Sequence, residues 1–335
     1  MKRYWMILVL LAGVLLGFSQ SARADSCTGT ASDIAFGSVS PIANTAVTAT
    51  GSITVTCTWS ALTLNRYAVV CLNLGTGTAS TSWAPRYMAN SSSNTLGFNV
   101  YTDSAYSTIW GSTSSTTAST PITFTLATSY SIASQDVSQT VTVYAQIPSG
   151  QTTVPTVGNS TTTYSTSFSG THTRLDYAFA VSSLLLPSCS SISASTVRFP
   201  FSVTANVVNN CNISTTPMSF GNASVLTAAL TATSTISVQC TSGDAWQLAL
   251  NGGSTSASVT ARQMKGAAYG ATVGYQLYTD SARSTIWGDG TSSTSMVTGT
   301  GTGAAAAVTV YGKVPVQTTP RPDTYSDTVT ATISF

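Results

Sequence analysis

The 335-residue chain carries 12 Lys and Arg against 10 acidic residues and one histidine. Every acid is Asp, only three Lys occur, and Ser, Thr, Val and Gly abound. Strand and turn residues thus displace the strong helix formers, which predicts an all-β protein. With so little charge and no basic cluster, neither nucleic acid nor anionic membrane is an expected partner.

The chain opens on an export signal, residues 1–24. Lys2 and Arg3 start it, Met6 to Phe18 form an apolar core, and Ala22-Arg23-Ala24 is a small-x-small cleavage site. The apolar stretch is too short for a membrane span. No Leu-x-x-Cys lipidation pattern precedes Cys27, so the mature chain is expected to begin at Asp25 and to leave the cytoplasm. Cleavage removes three basic residues and leaves nine against ten Asp.

Residues 101–111 (YTDSAYSTIWG) and 278–288 (YTDSARSTIWG) differ only at Tyr106 against Arg283. The repeat extends further: Cys27 with Phe36-Gly37 matches Cys211 with Phe220-Gly221, Ile53 to Cys57 matches Ile236 to Cys240, and Arg86-Tyr-Met88 matches Arg262-Gln-Met264. Units of this size hold their own cores, so the chain reads as two domains in tandem. Strands are predicted where apolar residues alternate, at Ile53/Val55/Cys57, Val141/Val143, Ile236/Val238/Cys240, Val308/Val310 and Val329 to Phe335. Runs of this kind between Gly, Ser, Thr, Asn and Pro clusters describe antiparallel sandwiches. Asp103 and Asp280, each in Tyr-Thr-Asp-Ser, are read as turn residues.

The most regular strand is Val197, Phe199, Phe201, Val203, Ala205 and Val207, six apolar residues on one face just ahead of Cys211. After signal cleavage nothing comparable precedes Cys27. The six cysteines of an exported chain are disulfide candidates. The matched spacings, 30 for Cys27–Cys57 and 29 for Cys211–Cys240, pair them within each domain and leave Cys71 with Cys189, or with partners on other chains. With one histidine and no Cys-x-x-Cys, neither a metal site nor any other cofactor is expected.

Cys211, Phe220-Gly221, Val238-Gln-Cys240, Tyr275-Gln-Leu-Tyr-Thr-Asp280, Ile286-Trp-Gly288, Val310-Tyr-Gly312 and Tyr325-Ser-Asp-Thr-Val329 together resemble the spore coat protein U domain. That domain is the pilin module of archaic, Csu-type chaperone–usher pili. A chain of two such domains is similar to the tip adhesin of these pili. The resemblance implies immunoglobulin-like sandwiches that lack their last strand and receive it from a neighbour by β-strand addition. It also implies a periplasmic chaperone, an outer-membrane usher and an adjacent pilin as partners, and a place at the pilus tip on the cell surface. The expected organisation is an adhesin domain over residues 25–187, a linker with a donor strand over 188–210, and a pilin domain over 211–335. Val197 to Val207 either completes the first domain or is the first strand of the second.

Three segments are longer in the first domain: 57–73, 111–141 and 148–164. Length added to one copy of a duplicated scaffold is where function is expected. Trp59, Leu62 and Leu64 in the first, and Val154, Pro155 and Val157 in the third, are the expected contact residues for an abiotic or host surface. In the second segment Ile122, Phe124 and Leu126 alternate as an added strand, followed by Tyr130 and Ile132. A carbohydrate site would centre on Trp83 and Tyr87. The alternative is a structural pilin or coat component without a receptor. Catalysis is not expected, because His172 stands alone and no nucleophile elbow or phosphate loop occurs.

Overall fold

The computed structural model describes residues 24–195 and 197–335. Positions 1–23 of the expected signal peptide lie outside the described residues. Among the described residues, helical structure is limited to single 3-10 turns and all other regular structure is strand.

The N-terminal half contributes eleven strands: β1 (Ser26–Ala31), β2 (Ile34–Val39), β3 (Val47–Trp59), β4 (Tyr67–Leu74), β5 (Arg86–Ala89), β6 (Thr95–Tyr101), β7 (Ile122–Ala127), β8 (Gln135–Ile147), β9 (Thr162–Phe168), β10 (Thr173–Ala180) and β11 (Phe201–Val207). One sheet runs β1-β3-β8-β6-β5-β9-β11-β2 and the facing sheet runs β10-β4-β7. Alternation drives the long pair β3–β8: Ile53, Val55, Cys57 and Trp59 are buried, while the Thr residues between them face outward.

Strand β11 sits inside this first sheet. It runs antiparallel to β9, with Phe201 opposite Phe168 and Val207 opposite Thr162, and parallel to β2. Phe199, Phe201, Val203, Ala205 and Val207 are buried in the N-terminal core, and Val197 packs against its edge. Phe199 and Phe201 stack on Trp110 at 6.0 and 6.4 Å, and Phe201 stacks on Phe168 at 4.9 Å. The preceding linker is pinned by the Cys71–Cys189 disulfide and by Asp176, which accepts a 2.8 Å bond from the Ser195 amide.

The C-terminal half comprises β12 (Cys211–Thr215), β13 (Leu230–Cys240), β14 (Ala245–Leu250), β15 (Gln263–Gly266), β16 (Thr272–Gly274), β17 (Gln276–Tyr278), β18 (Val297–Thr300), β19 (Ala306–Val314), β20 (Tyr325–Ser326) and β21 (Ala331–Ser334). Its sheets run β12-β13-β19-β17, β18-β14-β21 and β16-β15-β20. Cys27–Cys57 joins β1 to β3 and Cys211–Cys240 joins β12 to β13 at directly opposed positions, as the repeat spacing predicts.

The duplicated motifs prove to be scaffold. Asp103 and Asp280 each close a turn by accepting backbone amides, Ala105, Ser107 and Thr108 in one copy and Ser284 and Thr285 in the other. At the one differing position, Tyr106 packs edge-on against Tyr101 and Tyr144, whereas Arg283 lies over Tyr311. Arg86 and Arg262 are fully buried and donate to the carbonyls of Trp110 and Trp287. Burial pushes the Arg86 guanidinium down to about 9.

Candidate functional sites: an apolar pole and an open groove

The sheet registers bring three loops to one end of the N-terminal sandwich. Tyr67, the first residue of β4, lies opposite both Ala127 at the end of β7 and Ala180 at the end of β10. The loop 60–66 therefore meets 128–134 and 181–186. Leu62 donates its amide to Ser131 O at 3.1 Å, Thr128 to Arg66 O at 2.9 Å, and Arg66 to Ala180 O at 2.9 Å. The Arg66 guanidinium lies 5.0 Å over the Tyr130 ring.

This end is apolar and exposed. Leu62 and Leu64 are 60% and 70% exposed, Ile132 79% and Leu184 93%, with Tyr130, Val181 and Leu185 beside them. Leu62 has φ of 62°, a left-handed conformation that a leucine adopts only when its surroundings impose it. A cluster of large apolar side chains on loop tips is a candidate contact surface.

Trp59 is not part of this surface. It is 1% exposed, its ring edge-on to Phe179 at 5.3 Å, because β3 continues two residues past Cys57 and keeps the inward alternation. Nor does the third long segment reach the pole. Val154 is buried and Pro155 half-buried. Pro155 pairs with Ser242, and Thr156 donates to Asp244, so this segment docks the C-terminal domain at the opposite end. Val157, 41% exposed, lies in that same junction-side loop. Gly303 belongs to the junction as well, since a Cβ there would fall 1.9 Å from Thr152 O. The second long segment supplies β7, as its alternation predicts, and then Tyr130 and Ile132. The loop 181–186 escaped sequence reading because the repeat has no counterpart to it; the run Leu184-Leu-Leu186 was its one signal.

Trp83 lies over Arg86 at 5.4 Å and edges a cavity of about 160 Å³ that Tyr87 does not line. His172 accepts a 3.2 Å bond from the Gly77 amide, a structural role.

The second site is a groove in the C-terminal sandwich. Two adjoining cavities of about 370 and 670 Å³ run between the segment 215–223 and the segment 323–331, floored by Met264 and Tyr275. These flanks correspond to β2 and β9, the two neighbours of β11 in the first domain. Without a strand between them, the segment around Phe220 forms no strand and β20 shrinks to two residues. Thr162, Tyr164, Thr166 and Phe168 of β9 are buried beside β11, whereas Asp323, Tyr325, Asp327 and Val329 are half-exposed. Asp327 accepts from Tyr275 at 2.7 Å and from Ser254. Burial alone would raise the Asp327 carboxyl, but these bonds outweigh it and hold the carboxyl low.

The family model of the Spore Coat Protein U domain matches residues 16–165 and 197–332, most of the chain. The chain belongs to this family. The second match begins at Val197, so a family unit includes the strand segment ahead of its first cysteine. Among solved structures, the chain is similar to the chaperone–tip adhesion subunit pre-assembly complex of archaic chaperone–usher Csu pili of Acinetobacter baumannii. Identity there is 16%, coverage 92% of this chain and 100% of that one, and the TM-score 0.49. It is also similar to the CupB6 tip adhesin of Pseudomonas aeruginosa, at 11% identity, 93% coverage of both chains and a TM-score of 0.38. No curated protein matches the chain.

Proposed function

We propose that the protein is the tip adhesin of a chaperone–usher pilus and attaches cells to surfaces, as in biofilm formation, through the apolar pole of its N-terminal domain. One contrast carries the reading: two sandwiches of one family lie in one chain, the first with β11 in its sheet, the second with an open groove at the matching place. The linker segment 188–210 acts as an internal donor, so the first domain needs no subunit ahead of it. The second domain takes a strand from the adjacent pilin, and a periplasmic chaperone covers its groove before the usher assembles the pilus. An exposed groove flanked by unpaired strand edges is an aggregation hazard, which is the physical need for that chaperone.

The pole faces away from the domain junction, as a terminal contact surface must. Each large apolar side chain removed from water contributes roughly 1.5–3 kcal/mol, so Leu62, Leu64, Ile132 and Leu184 together supply on the order of 6–12 kcal/mol before ordering costs. Many pili per cell multiply this by avidity. The chemistry fits an abiotic or host surface of low polarity and needs no cofactor.

The test is the variant Leu62→Ser/Leu64→Ser/Ile132→Ser in piliated cells. Pilus number and export are expected to stay normal while attachment to polystyrene falls by about tenfold or more. Full attachment by normally piliated variant cells would remove the apolar pole as the contact.

A further inference from the structure

The loop that presents Leu62 and Leu64 is anchored on a carboxylate. Asp25 precedes β1, and its Oδ1 accepts both the amide and the hydroxyl of Ser60, each at 2.7 Å. Its Oδ2 accepts from Thr63 Oγ1 at 2.9 Å and from Asn65 Nδ2 at 2.7 Å. Arg66 closes the loop from the other side, donating to the carbonyls of Thr63 and Asn65. Ser60, Thr63 and Asn65 are thereby turned inward on Asp25, and Leu62 and Leu64 are the large side chains left outside.

The second domain has no such anchor. Asp25 stands two residues before Cys27, and the residue two before Cys211 is Asn209, which donates to Asn159 O at the domain junction. The carboxylate therefore belongs to the pole and not to the shared scaffold. Partial burial would raise its pKa, but the bonds from Asn65, Ser60 and Thr63 outweigh burial and hold it low, so it is ionised. Hydrogen bonds to an ionised acceptor are the strong kind.

We propose that Asp25 is the positioning residue of the apolar pole: its carboxylate fixes loop 60–66 in the shape that holds Leu62 and Leu64 outward for contact. This rests on the adhesive reading of the pole. Asp25 stands directly ahead of β1, and cleavage at the expected Ala22-Arg23-Ala24 motif would place this anchor at the start of the mature chain.

The experiment compares Asp25→Ala, Asp25→Glu and Thr63→Val/Asn65→Leu with Leu62→Ser/Leu64→Ser, in piliated cells and in the purified full chain with its chaperone. Mass spectrometry of the mature N-terminus checks that cleavage is intact, and the Thr63/Asn65 variant removes the bonds without touching the cleavage site. Losing charge-assisted bonds should speed amide exchange across residues 60–66 by on the order of tenfold or more, with strands β3 and β8 unchanged. Attachment should fall toward that of the leucine variant in both anchor-breaking variants and recover in Asp25→Glu, pilus number staying constant. Attachment lost in the leucine variant but normal in Asp25→Ala and Thr63→Val/Asn65→Leu would overturn the role of Asp25 alone. Normal attachment in the leucine variant would overturn the adhesive reading beneath it.

Discussion

Replacing Phe201 with Ala should destabilise the N-terminal domain selectively, although the residue lies close to Cys211 in sequence. Phe201 is 5% exposed and packs face to face with Phe168 at 4.9 Å and Trp110 at 6.4 Å. Truncating a buried Phe costs about 3–5 kcal/mol, from lost transfer energy plus the cavity left behind. Against a domain stability of roughly 5–15 kcal/mol, that is a large fraction. Phe199 stacks on the same Trp110, so the pair should couple, and the double variant should cost other than the sum of the singles. The assay is amide exchange with peptide-level resolution under mild denaturant, on the full chain held by its chaperone. Protection should fall in β2, β9 and the rest of the first sandwich, and stay unchanged in β13, β14 and β19. Loss of protection in β13 and β19 with β2 and β9 intact would show that the segment serves the second domain, and would refute the donor assignment.

Trp59→Ser should destabilise the first domain by about 3–5 kcal/mol in denaturant titration, in contrast to Leu62→Ser and Leu64→Ser, which should leave its midpoint nearly unchanged. A peptide with the alternating apolar pattern of residues 197–207 should bind the open groove of the second domain and raise its stability by about 2.7 kcal/mol at a hundredfold excess over Kd, read as a shift in melting temperature. Burial raises the Asp244 carboxyl above its ordinary value, and the Thr156 hydrogen bond opposes this only in part. The docked junction therefore holds its proton more tightly than the free chain. Its stability should be greatest below the ordinary carboxylate pKa and fall as pH rises through the raised one. Asp244→Asn should remove that pH dependence, checked by interdomain distance measurements across the acid range.

Composition and periodicity alone determined the class and the duplication. Chains without Glu and with alternating Thr and Val build strands, and an 11-residue repeat with one difference sets the domain count. The spacing of the cysteines gave the two cross-strand disulfides, because opposed positions on paired strands bring Cα atoms to 4.0 and 4.1 Å in both copies. Residues 197–207 announced a strand buried on one face, yet not whose sheet it would join. Only long-range pairing with β9 and β2 decided that, since local sequence encodes the pleat and not the neighbour.

The pole divided in the same way. Leu62 and Leu64 were legible as apolar residues in added length. Trp59 was misplaced because the end of a strand is set by pairing, here Trp59 opposite Gln135, and not by the residue type. Val154 packs into the N-terminal core, Pro155 and Val157 lie on the domain-junction side, and the loop 181–186 came to the pole. Sequence measures separation along the chain, whereas which loops share an end of a sandwich depends on the direction in which each strand runs. Strands β4, β7 and β10 carry their ends to one place only when folded, and that convergence forms the apolar pole.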